Sequence, residues 1–327
     1  MQNNSTIFLN NLTQIDYAFI HPKNNTLGGG SLNLSVEVTG VINEYENVVV
    51  DFSNIKKYLK ESIDARESGF DHKLWVLPNH GNKTDINNWS DNWINKPDEF
   101  MTALYSHDGR VMVATPKIQI QLPTNAIKIC KYDDYNILTK NIEVYLKDRL
   151  RSHYLSDFKI KCFLSMVPTL PYNNRYGQFL FRYTHGLKNS SSWGCQNIAH
   201  GHLSWILFTD KFNNYIPLSN NFASDLLNTL DNHMFIWKDN IVFEDKDYLI
   251  LEYNTFDRGL FTMRLLKNHI KYTVIDTETT VENLTIWFKD RYSSYIKYMK
   301  EKGAYNIYFS EGLVKGSCIS LYDENGN

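Results

Sequence analysis

The order of secondary-structure signals in the first half of this 327-residue chain recurs in the second. A repeat that long constrains the fold more than any single residue does. In residues 14–165 an apolar strand, IDYAFIH (15–21), leads through a Gly-rich turn into the alternating SLNLSVEVTGV (31–41). A helix follows at about 53–66, where Ile55, Tyr58, Leu59 and Ile63 recur at helical spacing. Asp71-His72, a polar excursion (79–110), a helix after Thr139 (NIEVYLKDRL) and the strand KIKCFLSMV (159–167) complete the unit. From 178 the plan returns: FLFRYTH, a loop, HGHLSWILF, a helix at 222–230, Asn232-His233, an excursion, a helix over 281–299 and the strand AYNIYFSEG (304–312). The Pro- and Gly-containing segment PTLPYNNRYG (168–177) marks the boundary. The pattern predicts an α+β chain of two tandem β-β-α-α-β-β domains, 1–170 and 171–327, with antiparallel sheets carrying helices on one face. Such a sheet leaves its other face open, so the halves should pack together or the chains oligomerise. The excursions should contain hairpin strands such as RVMVATPKIQIQL (110–122).

Composition narrows the partners. With 36 acidic and 34 basic residues the net charge is −2, so there is no electrostatic footprint for nucleic acid. No charged segment followed by a long apolar stretch opens the chain, and no apolar run reaches the roughly 18–20 residues that span a bilayer. We expect a soluble, unexported, cytoplasmic protein with no membrane partner. The four cysteines, Cys130, Cys162, Cys195 and Cys318, are scattered without a paired framework, as suits a reducing compartment. Asn-x-Ser/Thr triplets such as Asn82-Lys83-Thr84 reflect the abundance of Asn.

His200-Gly201-His202 opens the strand HGHLSWILF. Residues two apart in a strand project from the same face, so both imidazoles point one way. His185 closes the strand QFLFRYTH, and the Gly/Ser/Asn-rich segment 186–199 can bring it back alongside. Three neutral imidazoles with an open fourth position suit a zinc ion that does chemistry. The plainer reading, polar residues on a strand edge, stands beside it.

The residues resemble a family. Phe/Tyr-x-x-x-His, Cys195 before His200-Gly201-His202, Val49-Val50-Asp51-Phe52, Asp71-His72, Thr280-Val281-Glu282-Asn283 and a strand ending near Glu311 occur in that order. Together they resemble the 6-pyruvoyltetrahydropterin synthase / 6-carboxytetrahydropterin synthase family of the tunnelling fold, as two tandem copies of which the N-terminal one is degenerate. The resemblance implies that His185, His200 and His202 bind Zn2+, that Cys195 is the base, and that Glu311 anchors a pterin ring. It implies an Asp-His pair that tunes the cysteine. Asn232 precedes His233 in the C-terminal half, so Asp71 and His72 would fill that role, with His233 a weaker catalytic candidate. In the N-terminal half the resemblance matches Gly29-Gly30-Ser31 to the His-Gly-His and Ser165 to the anchoring Glu, leaving only His21 and Asp71-His72. The two sets of losses are complementary, so one composite site joins the halves.

The chemistry accounts for these residue types. Zinc acidifies a C–H beside a substrate oxygen, a thiolate removes the proton, and a buried carboxylate grips two N–H groups of a 2-aminopyrimidinone edge. The implied activity is a carbon-oxygen lyase acting on 7,8-dihydroneopterin triphosphate or a related pterin, in a homo-oligomer such as a trimer of two-domain chains. The alternatives are a non-catalytic pterin- or purine-binding subunit, or the same fold and zinc with another substrate. Residue by residue, blander roles stand alongside: a turn or cap for Asp71-His72, a solvated strand end for Glu311, and core or ligand stacking for Trp193. Asp51 reads as a helix-entry residue, Glu282 as a partner of the helix dipole, and His80, His107 and His153 as surface groups.

Overall fold

The computed structural model describes residues 4–21, 26–43, 45, 48–77, 103–107, 109–115, 117–170 and 179–322. Most of the first excursion, with His80 and the Asn82 triplet, lies outside the described residues, as does the linker at 171–178 with the boundary placed there. The first half runs β1 (Asn4–Ile20), β2 (Leu27–Val41), α1 (Phe52–Ile63), β3 (Lys73–Val76), β4 (Ala103–His107), β5 (Arg110–Ala114), β6 (Ile118–Pro123), β7 (Ile127–Ile129), α2 (Tyr135–Tyr154) and β8 (Lys159–Ser165). The second begins β9 (Phe179–His185), β10 (His200–Thr209), β11 (Tyr215–Ile216), α3 (Asn220–Leu230), β12 (His233–Trp237), β13 (Ile241–Glu244), β14 (Tyr248–Thr255) and β15 (Gly259–Leu266). It ends with β16 (Tyr272–Ile275), α4 (Val281–Arg291), α5 (Ser293–Glu301), β17 (Asn306–Glu311) and β18 (Lys315–Ser320).

Caps set the helix starts. Asp51 accepts from the Asn54 N–H at 2.8 Å and opens α1, satisfying an amide that has no partner within the helix. Asp134 accepts from the Asn136 and Ile137 amides, so α2 starts before Thr139, at Tyr135. Glu282 lies in the first turn of α4. The helix expected over 281–299 breaks at Tyr292, whose φ of −104° and ψ of 32° leave the helical region. No glycine or proline marks the break; the Tyr292 ring packs on Phe288 with centroids 4.7 Å apart.

The halves share one sheet plan. The order is β7-β3-β1-β2-β8 in the first and β16-β12-β9-β10-β17-β18 in the second. Four central pairings in each are equivalent in direction: β1–β2 with β9–β10 and β2–β8 with β10–β17 are antiparallel, while β1–β3 with β9–β12 and β3–β7 with β12–β16 are parallel. The sheets are therefore mixed rather than purely antiparallel. Strands β3 and β12, reached through a helix after β2 and β10, run antiparallel to those strands and so parallel to β1 and β9, beside which they lie. Helices α1 and α2 seal one face of the first sheet over Ile15, Tyr17, Leu32 and Leu34. Helices α3, α4 and α5 seal the second over Phe181, Tyr183, Phe208 and Phe309.

The excursion strands form a third sheet drawn from both halves, in the order β13-β14-β15-β6-β5-β4. Its joining edge is the antiparallel pairing of Ile118–Gln121 with Thr262–Leu265. The core beneath it mixes Ala18, Ile20 and Leu74 with Met234, Ile236 and Phe261. The halves also touch backbone to backbone, where β2 crosses β9 and β10. A Cβ added to Gly29 would lie 2.1 Å from the Tyr183 carbonyl oxygen and 2.5 Å from the His202 nitrogen, and one on Gly201 would lie 2.6 Å from the Gly29 Cα. Only glycine permits this approach.

Candidate functional site

The register of β9 against β10 pairs His200 with His185 and His202 with Tyr183, so the three imidazoles share one neighbourhood. All three are buried, and their ligating atoms lie within 4.8 Å of one another. The His185 and His202 Nε2 atoms are 3.2 Å apart. His185 Nδ1 lies 2.7 Å from the Thr279 carbonyl oxygen, so Nδ1–H donates there and Nε2 presents its lone pair. Burial, with His202 nearby, pushes the His185 pKa down to about 4 and that of His200 well below its ordinary value. Neutral imidazoles are the form that binds metals.

Three overlapping groups of metal-binding type occur here: His185, His200 and His202; His72, Cys195 and His200; and Asp16, Asp71 and His72. The donors of the third are already engaged. Asp71 Oδ2 bonds His72 Nδ1, Asp71 Oδ1 accepts from the Asp16 amide at 2.7 Å, and Asp16 accepts from Ser31 and Gln14. In contrast, neither ring nitrogen of His200 has a hydrogen-bond partner although both are buried. A buried polar atom without a partner is costly, and a metal ion at the three histidines would take up one of these two nitrogens. The residues therefore fit a metal.

Asp16, on β1, stands behind His202 with Oδ1 3.2 Å from Nδ1. Burial alone would raise its pKa, yet His202 holds it well below the carboxylate range. An anionic carboxylate behind a ligating imidazole orients the ring and raises its basicity. Glu311 approaches from the other side, with Oε1 3.7 Å from His202 Nε2, and Lys315 Nζ lies 3.2 Å from its Oε2. Burial opposes its ionisation, but His202 and Lys315 draw its pKa down.

Across the seam lies His72. Its ring is 4.6 Å from that of His200, and the close fit depends on Gly194, where a Cβ would come within 2.4 Å of the His72 ring. Burial disfavours the charged imidazole, but Asp71 and the Cys195 thiol outweigh it and push the His72 pKa well above normal. Cys195 itself is buried on a 3-10 turn, Gly194–Gln196. Arg258 clamps that turn: 5% exposed, it donates from Nη1 to the Trp193 and Gly194 carbonyls, and its guanidinium lies 3.9 Å from the Trp193 ring centre. Trp193 is thus the platform for a cation.

Asp71, His72, Cys195, His185, His200, His202 and Glu311 all meet in this one cluster. His233 does not join it. Its Nδ1 lies 3.1 Å from the Thr229 carbonyl and its Nε2 2.9 Å from the Thr273 hydroxyl, and burial lowers its pKa to about 4. Both of its nitrogens are used structurally, so the structure does not bring it together with the other candidates. The register gives the reason. Tyr17 pairs with Gly30 and Lys73, while Tyr183 pairs with His202 and His233. With the two tyrosines equivalent, His233 corresponds to Lys73, and Asp231-Asn232 corresponds to Asp71-His72. His72 and Asn232 both have left-handed backbones, at φ 54° and 57°. Asp231 accepts from the Arg182 amide at 2.9 Å as Asp71 does from that of Asp16. The second half thus carries the aspartate and has an asparagine at the position of the histidine.

The same register shifts the other matches. Gly28, Gly29 and Gly30 stand where His200, Gly201 and His202 stand, one residue earlier than Gly29-Gly30-Ser31. Phe19, rather than His21, takes the place of His185, and Met166, beyond the end of β8, takes that of Glu311 in place of Ser165. Asp16, Gly194 and Arg258 escaped the sequence reading. The one available signal was a lone carboxylate on the apolar strand IDYAFI; nothing local marks the other two.

No family model matches the chain, and no curated protein does. Among solved structures, it resembles a Plasmodium vivax 6-pyruvoyltetrahydropterin synthase, an E37A catalytic residue mutant, at 13% identity and a TM-score of 0.36, over 51% of this chain and 94% of that one. A Plasmodium falciparum 6-pyruvoyl tetrahydropterin synthase matches at 14% identity and a TM-score of 0.34, over 50% of this chain and 91% of that one. Likenesses at this level carry no information about this chain's reaction. No helix among the described residues is long and apolar enough to cross a membrane.

Proposed function

We propose that the chain is a zinc-dependent lyase of the 6-pyruvoyl/6-carboxytetrahydropterin synthase type, acting on a reduced pterin triphosphate such as 7,8-dihydroneopterin triphosphate. We propose also that it is a tandem of two copies, residues 1–170 contributing Asp71 and His72, with Asp16 behind His202, and 171–327 contributing Cys195, His185, His200, His202 and Glu311. The observation that carries the reading is the meeting of the Asp71-His72 pair with Cys195 beside three buried imidazoles, a proton-transfer set next to a metal-binding set. The order of motifs along the chain supports the substrate class.

His185, His200 and His202 would hold the zinc, which when bound supplies a Lewis acid that makes a neighbouring substrate C–H acidic. Cys195 takes that proton on sulfur. His72, fixed by Asp71, stands beside the sulfur, where its imidazolium would pair with the thiolate. Asp16 orients His202. Glu311, kept ionised by Lys315, accepts the N–H pair of the pterin edge. The experiment is turnover of 7,8-dihydroneopterin triphosphate by the intact chain, with metal content measured on the same sample. A metal-loaded chain that binds the pterin without converting it would replace the lyase with a binding subunit.

Metal stoichiometry separates the halves. About one zinc per chain is expected by elemental analysis, because Phe19, Gly28 and Gly30 leave the first half without imidazoles at the matching positions. His200→Ala with His202→Ala should abolish it. Two tightly held equivalents, or full retention in the double variant, would contradict the assignment.

Chains should assemble further, most simply as a trimer. Strand β8 is a sheet edge with Phe163 42% exposed, and Val167 just beyond it is 68% exposed; open edges with apolar side chains invite pairing. A monomer by light scattering at micromolar concentration would contradict this while leaving the site intact.

A further inference from the structure

The sheet plan that builds one site from the two halves builds a counterpart on the other side of the pseudo-symmetric pairing. There the chain leaves a cavity of about 280 Å³. Its walls include Phe19 in the place of His185, Gly30 in that of His202, and Met166 in that of Glu311. Asn232 stands where His72 does, and Arg182 where Asp16 does. Aromatic rings take over part of the space that two imidazoles would occupy: a Cβ on Gly30 would lie 2.4 Å from the Tyr17 ring and one on Gly28 2.9 Å from the Phe19 ring, which leaves the cavity ring-lined and without imidazoles at those positions. The charge is reversed as well. At the metal-type site the side chains behind and beside the imidazoles are the carboxylates of Asp16 and Glu311; here they are a guanidinium and a thioether. The lining carries positive charge at Arg182 and negative charge at Asp133, exposed at the rim, so an anion finds its partner at the Arg182 end.

We propose that this cavity is a second binding site, free of metal, for a small aromatic carboxylate. The walls that do not carry charge are largely aromatic: Tyr17, Phe19, Tyr132 and Tyr135. They suit the faces and edges of a planar ring. The volume falls just below the roughly 300–1,000 Å³ of pockets that take drug-sized ligands, so it holds one ring. Arg182 supplies the charged partner. Its Nη1 lies 3.6 Å from Asp231, a contact that occupies only part of a planar five-donor fork suited to carboxylates. The Asn232 side chain adds an amide at the same end. Asp133 sits at the exposed rim, where it selects against ligands with a second negative charge.

The test is titration calorimetry on the intact chain with benzoate, 4-hydroxybenzoate and nicotinate, each against its neutral amide or alcohol isostere. At least one acid should bind at one equivalent and at least about tenfold more tightly than its isostere, the preference expected of a charge-assisted bond. Arg182→Gln should remove that preference. Met166→Trp, at a position already 41% exposed and therefore tolerant, should block acid and isostere alike. Saturating chelator should change nothing, which separates this cavity from the histidine cluster and from the fate of the proposed lyase activity. Failure of all three acids to bind, equal binding of acid and isostere, or loss of binding on chelation overturns the proposal. If Arg182→Gln does not fold, as judged by circular dichroism, the Met166→Trp result decides: unimpaired binding there overturns the assignment to this cavity.

Discussion

Cys195→Ala is expected to lower turnover by about 10³-fold, the range a positioned general base contributes, while zinc content stays near that of the unmodified chain. His72→Ala should fall by a similar factor, because the imidazole that supports the thiolate is gone although His185, His200 and His202 remain. His72, Cys195 and His200 come together within one chain here, with Asn197 Nδ2 donating to the His72 carbonyl at 3.3 Å across the seam. Mixing inactive His72→Ala chains with inactive Cys195→Ala chains should therefore restore no activity. Recovery on mixing would place the working pair between chains. Full activity of His72→Ala beside an inactive Cys195→Ala would end the composite model. His233→Ala serves as the control: with both ring nitrogens bonded to Thr229 and Thr273, its loss should cost stability while leaving kcat of the folded fraction unchanged.

Gly29→Ala is expected to destabilise the chain by about 3 kcal/mol or more, at or beyond the upper end for overpacking. The added methyl would meet the Tyr183 carbonyl at 2.1 Å and the His202 amide at 2.5 Å. These are backbone atoms of two paired strands, so no rotamer change relieves the clash. The strain falls on the segment that presents His202, so a lowered urea midpoint should be accompanied by weaker metal retention in the fraction still folded. A midpoint within error of the unmodified chain would show that β2 does not cross β9 and β10 this closely. Gly109 offers the contrast: an added Cβ there meets nothing within 4 Å, though its φ of 72° penalises any side chain for backbone reasons alone.

The sequence by itself determined the local elements. Period-two alternation marked β2, strand-like runs marked β8 and β9, and helical spacing marked α1, because these patterns are written in consecutive residues. His200-Gly201-His202 and His185 were legible for the same reason: strand period and one loop bring them together. Boundaries were less visible. Asp134 moved the start of α2, and the break at Tyr292 has no residue that signals it.

Only the tertiary structure decided what depends on one half meeting the other. The pairing of β6 with β15, the Gly29–Gly201 crossing, Asp16 behind His202, and Arg258 clamping the Cys195 turn each join residues far apart in the chain. No local pattern encodes those contacts. The alignment of the halves shows the limit most clearly: adjacent letters made Asn232-His233 the partner of Asp71-His72, whereas the hydrogen-bond register of β3 and β12 makes it Asp231-Asn232. A one-residue shift in a strand turns each side chain to the opposite face, and which face is inward is settled by pairing between strands, which the linear sequence does not display.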